Sequence, residues 1–292
     1  MIVFYGLLGY ADDCALLSPS REGLQIMLNM CEKYFSSHGI KISADVDVNK
    51  SKTKCLSFNV TSDPSSLVLH DFALPWVESA VHLGHIICAG AVENTSKFIL
   101  SRRGEFVSKI HEFQQELGDQ HPHVFIRLVQ TYLTSFYGSN LFNLFSESAE
   151  KLYISWNIFI RSQFGLPFAT HRYILYNMCP IPHIRVSLIN RFVNFYKKLK
   201  FCRKPEIRHL FHIQQIDNRS VFGTNCLNIC RECNKLCVDQ VTKHDISMPI
   251  QIQENDEWRI PLLNDLVYLR DDSTTEIPRS DIIDIINFIC CD

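Results

Sequence analysis

The chain has 292 residues, 46% of them hydrophobic, which is enough apolar material for one large or two ordinary cores and argues against a disordered chain. Lys and Arg number 29 against 31 Asp and Glu, a formal charge of -2, so any surface for a polyanion has to be local. No apolar run approaches the ~20 residues of a bilayer span. The apolar opening Met1 to Ala11 stops at Asp12 and Asp13 and lacks the basic flank and cleavage site of a signal peptide. Twelve Cys, mostly scattered through apolar stretches, lack the spacing of a secreted disulfide framework and point to a reducing intracellular compartment, cytoplasm or nucleus.

The opening reads as strand, tight turn, strand: Met1 to Tyr10 is apolar and aromatic, Asp12-Asp13 interrupts it, and Cys14 to Leu17 resumes it. Ser18-Pro19 predicts an N-cap with Pro at the first helical position, followed by Leu24, Met27, Leu28, Cys31, Tyr34 and Phe35 at helical spacing. Gly39 closes that helix. Ile40 to Ile42 and Cys55 to Val60 read as strands around a polar loop, Ser43 to Lys54, and further strands are expected at Leu67 to Leu69 and Val81 to Ile87.

From Asn94 the hydrophobic period becomes helical. Phe98, Ile99, Phe106, Ile110, Phe113 and Leu117 define one amphipathic helix, with Lys97, Arg102, Arg103 and Lys109 toward solvent. His121-Pro122 starts another, and a third around Ala149 to Phe164 ends at Gly165-Leu166-Pro167. The fold class is therefore α+β, with a sheet and packed helix over residues 1–92, a helical region over 93–168 and a helical C-terminal region over 169–292.

Adjacent Asp residues in a turn are ordinary, because Asp bonds its own backbone there. Two ionised carboxylates at the tip of an apolar ribbon also repel each other unless a cation intervenes, and such hard oxygen ligands suit magnesium (Mg2+) with substrate phosphates. Two such ions can orient an attacking hydroxyl and stabilise a leaving pyrophosphate, which is nucleotidyl transfer chemistry.

The stretch Gly9-Tyr10-Ala11-Asp12-Asp13-Cys14-Ala15-Leu16-Leu17-Ser18 resembles the catalytic hairpin of reverse transcriptases from LINE-type, non-LTR retrotransposons. Gly39 to Ile42 with Lys50-Ser51-Lys52, then His82-Leu83-Gly84-His85-Ile86, resemble that family's later palm motifs in the family's order. Trp156 to Pro167 and Ile282 to Cys290 resemble its post-palm helices and C-terminal end. The resemblance implies the end of a reverse-transcriptase palm, a thumb and a tail. It implies Asp12 and Asp13 as metal ligands for Mg2+, Lys50 as a cation near the nucleotide phosphates, Tyr10 and Ala11 as shaping the turn near the primer, and Leu83 and Gly84 as primer support. The partners it implies are an RNA template, a DNA primer and deoxynucleotide triphosphates, with no membrane. The family carries another metal-binding Asp and a template-binding fingers region earlier in its chain. This sequence holds no match to either, so the polypeptide alone is expected to be a poor polymerase or none.

Two other patterns bear on function. Between Arg185 and Arg208 eight Lys and Arg face the single acid Glu206, interleaved with Phe192, Phe195, Tyr196 and Phe201. Arg191, Lys197 and Lys198 on that run are the expected nucleic-acid contacts, against the alternative of a solvated basic helix face. Cys226, Cys230, Cys233 and Cys237 would share one face of a helix as small apolar residues, a reading that outweighs a zinc site because paired knuckles are absent. No Gly-rich phosphate loop, no Gly-x-Ser-x-Gly elbow and no His-Glu-x-x-His occurs. A catalytically silent nucleic-acid-binding remnant and a relic without a retained role stand as alternatives to the polymerase fragment, and the oligomeric state is left open.

Overall fold

A computed structural model of the chain describes residues 6–44, 51–58, 65–89, 94–117, 120–170, 172, 175, 179, 181–217 and 220–247. Of these, 57% are helical and 11% lie in small antiparallel sheets, so the α+β class holds with helix dominant. Two compact units divide the chain, Met1–Phe98 and Ile99–Asp292.

In the first unit, β1 (Leu7–Tyr10) and β2 (Asp13–Leu16) form a hairpin, followed by α1 (Arg21–Ser37). The helix starts later than Ser18-Pro19 suggests: Ser20 is the N-cap, accepting from the Gly23 amide at 3.1 Å. The Ser18 hydroxyl instead donates to the Ser20 carbonyl, which uses Ser18 to fix the approach to the cap. Gly39, at φ +70°, ends α1 in a Schellman turn with Ile40 N–H bonded to Phe35 O and Gly39 N–H to Ser36 O.

The strands do not merge into the single sheet that the pattern suggested. The described strands make three separate ribbons: β1 with β2, β3 (Leu67–Leu69) with β4 (Phe72–Leu74), and β5 (Ser79–His82) with β6 (His85–Cys88). Val81 to Ile87 is thus a reversal at Leu83 and Gly84, both at positive φ, rather than one strand. Ile40 to Ile42 pairs with nothing among the described residues, and Cys55 makes only an isolated parallel bridge to Trp76. A small apolar core ties α1 to these pieces through Leu28, Cys55, Leu67, Leu69 and Leu74, with Leu16, Leu24 and Trp76 packed against it.

The second unit is helical: α2 (Asn94–Leu117), whose first turn belongs to the first unit, then α3 (Pro122–Leu133), α4 (Glu147–Gln163), α5 (Ile184–Lys200), α6 (Pro205–Ile216), α7 (Val221–Glu232) and the short α8 (Lys243–Ser247). The apolar stripe of α2 is buried at Ile99, Phe106 and Ile110, with Phe106 stacked on Trp156 of α4. Arg103 is not at solvent: its Nε donates to Ser155 Oγ of α4 at 2.7 Å. The end of α4 carries the Schellman bonds that Gly165-Leu166-Pro167 implied, with Leu166 N–H on Arg161 O. Helix α5 is the centre of the unit, packed against α4, α6 and α8, with Leu188 and Phe192 fully enclosed.

Candidate functional site

The first hairpin positions the paired acids. Tyr10 is opposite Asp13, so Ala11 and Asp12 form the turn. Ala11 has φ +52° and Asp12 is not at positive φ, the pattern of a turn whose first central position prefers Gly. An L-residue held there stores backbone strain. The base of the hairpin is anchored through Leu16 to the α1 core, and Leu17 N–H closes on the Gly6 carbonyl at 2.9 Å. Its tip is exposed: Tyr10 is 69% accessible, and the carboxylates of Asp12 and Asp13 lie at the surface without an ion pair or hydrogen bond among the described residues.

Two unpartnered carboxylates on a constrained turn are suitable oxygen donors for a hard cation. They are two and not three: among the described residues no group of three His, Cys, Asp or Glu is arranged to hold a metal ion. Lys50 lies outside the described residues, as do Ile282 to Cys290. Leu83 and Gly84 sit on the β5–β6 ribbon, which shares no ladder with β1–β2, and the neighbouring His85 ring meets Phe98 edge-on at 5.3 Å.

The basic run resolves into two populations. Arg191 is turned inward: it donates to the Ser135 carbonyl at 2.8 Å, and burial lowers its pKa from the usual arginine value. Lys197 donates to the Val241 carbonyl at 3.4 Å. Arg185 pairs with Glu232 and Lys200 with Asp239, so these two spend their charge within the unit. Lys198, by contrast, is exposed and unpaired among the described residues. The aromatics divide the same way: Phe192 and Tyr196 are buried, whereas Phe201 is 74% exposed. Arg191 and Lys197 thus each spend a donor on a backbone carbonyl within the unit, whereas Lys198 does not among the described residues.

The cysteines do not share one helix face. Helix α7 stops at Glu232, where Asn234 at φ +50° closes a Schellman turn through Lys235 N–H to Cys230 O, and Cys237 caps the following 3₁₀ turn Val238–Gln240. Burial and the neighbouring Cys230 push the Cys226 thiol up to about 12; burial and Asp245 push Cys233 to about 11. These groups are thiols at neutral pH, packed as small apolar side chains.

Missed by sequence reasoning was Asn225, fully buried on α7. Its Nδ2 donates to the Phe142 carbonyl at 2.7 Å and its Oδ1 accepts from the Leu144 amide at 3.0 Å. A lone Asn among apolar residues gives no sequence signal of such a distant backbone partner.

No protein-family model, no curated protein and no solved structure matches this chain. Among the described residues no helix is long and apolar enough to cross a membrane.

Proposed function

We propose that this chain is part of an RNA-directed DNA polymerase of the LINE-type retrotransposon class, comprising the last part of the palm, a thumb and a helical tail. The observation that supports the reading is the Tyr10-Ala11-Asp12-Asp13 turn: a strained two-residue hairpin tip that exposes two unpaired carboxylates on an apolar ribbon. In that reading Asp12 and Asp13 hold magnesium, Tyr10 and Ala11 shape the surface beside the primer end, and Leu83 with Gly84 supports the primer. Magnesium held there would supply charge neutralisation for the phosphates and the leaving pyrophosphate. The work of the chain's own residues would be positional, the hairpin holding Asp12 and Asp13 side by side at its exposed end.

With two carboxylates, the hairpin needs a third metal ligand and a template-binding surface to act as a polymerase, and no such third group joins it among the described residues. That observation favours a second reading, a silent nucleic-acid-binding protein. The two are separated by titrating an RNA-template/DNA-primer hybrid, labelled with a fluorophore, against the chain with and without magnesium. The polymerase reading expects a magnesium-dependent gain in hybrid affinity that disappears in the Asp12→Asn/Asp13→Asn variant. Equal affinity with and without magnesium, in both proteins, would overturn it.

A further inference from the structure

The way β2 lies along α1 places Cys14 and Cys31 opposite each other. The chain reverses over residues 17–20, so α1 returns beside the strand it follows, and the two elements pack directly together. Leu16 at the end of β2 and Leu24 of α1 both pack on the core that contains Leu28. Cys14 shares a strand face with Leu16, and Cys31 continues the helical stripe of Leu24 and Leu28. The spacings agree. Two residues along a strand advance about 7 Å. Cys31 lies about 7.5 Å along the helix axis from the midpoint of Leu24 and Leu28.

Exposure gives the two thiols different roles. Among the described residues Cys14 is exposed and Cys31 half-buried, whereas Cys55, Cys88, Cys179 and Cys226 are buried. The cross-strand neighbour of Cys14 is Gly9, and a Cβ built there would touch nothing, so this side of the ribbon is open beside the Cys14 thiol. Burial, and then the charge of Cys14, raises the pKa of the Cys31 thiol, which requires the two sulfurs to lie near each other. A bridge needs Cα atoms within about 7 Å. The hairpin can supply that movement, because it is a two-stranded ribbon whose Leu7 and Leu8 are about half exposed.

We infer that Cys14 and Cys31 form a reversible, redox-sensitive disulfide that fastens the first hairpin to α1. The oxidant is hydrogen peroxide. The exposed Cys14 thiolate attacks one peroxide oxygen: an S–O bond forms, the O–O bond breaks, and the other oxygen leaves as hydroxide, which takes a proton to become water. The Cys31 thiolate then attacks the Cys14 sulfur: the S–S bond forms, the S–O bond breaks, and hydroxide again leaves and is protonated to water. Two thiols and one peroxide thus give one disulfide and two waters. A dithiol reductant reverses the bridge by thiol–disulfide exchange. In a reducing compartment such a pair is a transient sensor. Its effect falls on the Ala11-Asp12 turn, which the bridged strand follows directly. The pairing rests on the placement of β2 against α1 and not on whether Asp12 and Asp13 bind a metal.

Trypsin separates the two cysteines, because Arg21 is the first basic residue of the chain: the fragments Met1–Arg21 and Glu22–Lys33 carry one cysteine each. The full chain is treated with hydrogen peroxide in EDTA, its remaining thiols are blocked with N-ethylmaleimide, and it is digested without reductant for mass spectrometry. The two fragments are expected joined, to separate on adding dithiothreitol, and to stay apart in Cys14→Ser and in Cys31→Ser. In Cys31→Ser the oxidised Cys14 is expected to be trapped by dimedone as a sulfenic acid. Hydrogen exchange of the Gly9 to Cys14 amides is expected to slow by at least about tenfold in the oxidised wild type. Neither Ser variant shows this slowing, while both melt like the wild type in dithiothreitol. The pairing is overturned if Cys14 is joined to another cysteine or to a second copy of the chain, or if peroxide carries it to a sulfinic acid with no joined fragment. Unchanged exchange in the oxidised wild type overturns the fastening. Because EDTA removes magnesium, failure here leaves the hairpin reading untouched, and failure of the hybrid titration leaves this one untouched.

Discussion

Tyr10 and Asp13 face each other across the first hairpin, which leaves Ala11 and Asp12 as its whole turn and holds Ala11 at φ +52°. The left-handed region costs an L-residue about 1–2 kcal/mol relative to Gly. Ala11→Gly is expected to raise amide-exchange protection across β1–β2, by a few tenths to about 1 kcal/mol once the greater freedom of an unfolded Gly is subtracted. Ala11→Val, β-branched at the same φ, lowers it. Protection moving the other way in either variant would show that the turn is not strained.

Asn225 joins α7 to the loop before α4 with two buried hydrogen bonds. Asn225→Ala leaves the Leu144 amide and the Phe142 carbonyl without partners in a dry interior, an expected loss of about 2–4 kcal/mol. Urea unfolding at unchanged m-value measures it. A loss below about 1 kcal/mol would mean that water replaces the side chain.

His183 gives the second unit an acid-sensitive joint. It is buried, its Nδ1 accepts from the Arg185 amide at 3.2 Å, and its Nε2 lies 3.1 Å from Asn157 Oδ1. Burial, with the charges of Arg185 and Arg172, lowers its pKa to about 3. The unfolded His takes up a proton near its ordinary pKa of 6.5 while the folded one does not. Its stabilisation is therefore complete above that pH and declines as pH falls toward 3, by up to about 1.4 kcal/mol per unit. Between about pH 7 and about pH 5 the wild type is expected to lose up to about 2 kcal/mol more than His183→Asn, which keeps the cap and does not titrate. Parallel urea midpoints for the two proteins would contradict this.

Gly223 packs where no side chain fits. A Cβ there would lie 2.3 Å from the carbonyl oxygen of Asp217, the C-cap of α6, and 3.1 Å from that of Gln214 in the last turn of α6. Gly223→Ala must push the two helices apart, with an expected loss of about 1–3 kcal/mol and a lowered melting temperature. An unchanged melting temperature would show that this corner is loose.

The helices were legible because their signals are local. Asn94–Leu117 is bounded in the structure as its apolar period predicts, Pro122 starts α3, and Gly39 and Gly165 end their helices at positive φ. The hairpin at Asp12-Asp13 was legible from an apolar run broken by two acids. The sheet was not, because pairing between ribbons depends on distant partners that alternation does not specify. His70 and Asp71, both at positive φ, turn β3 into β4 without the Asn-Gly signature that would announce them. The inward bonds of the basic run were illegible for a related reason: charge is visible in sequence, but Ser135 and Val241, whose carbonyls take Arg191 and Lys197, are 56 and 44 residues away. The Ala11 strain and the Asn225 bonds likewise exist only in three dimensions.

In the proposed reading Asp12 and Asp13 form a cation site at the hairpin tip. Manganese, a paramagnetic substitute for magnesium, broadens the NMR signals of amides close to where it binds. Titrated into the isotopically labelled chain, it is expected to broaden Gly9 to Cys14 first, with the effect lost in Asp12→Asn/Asp13→Asn. First broadening elsewhere in the chain, or the same pattern in the double variant, would contradict the account.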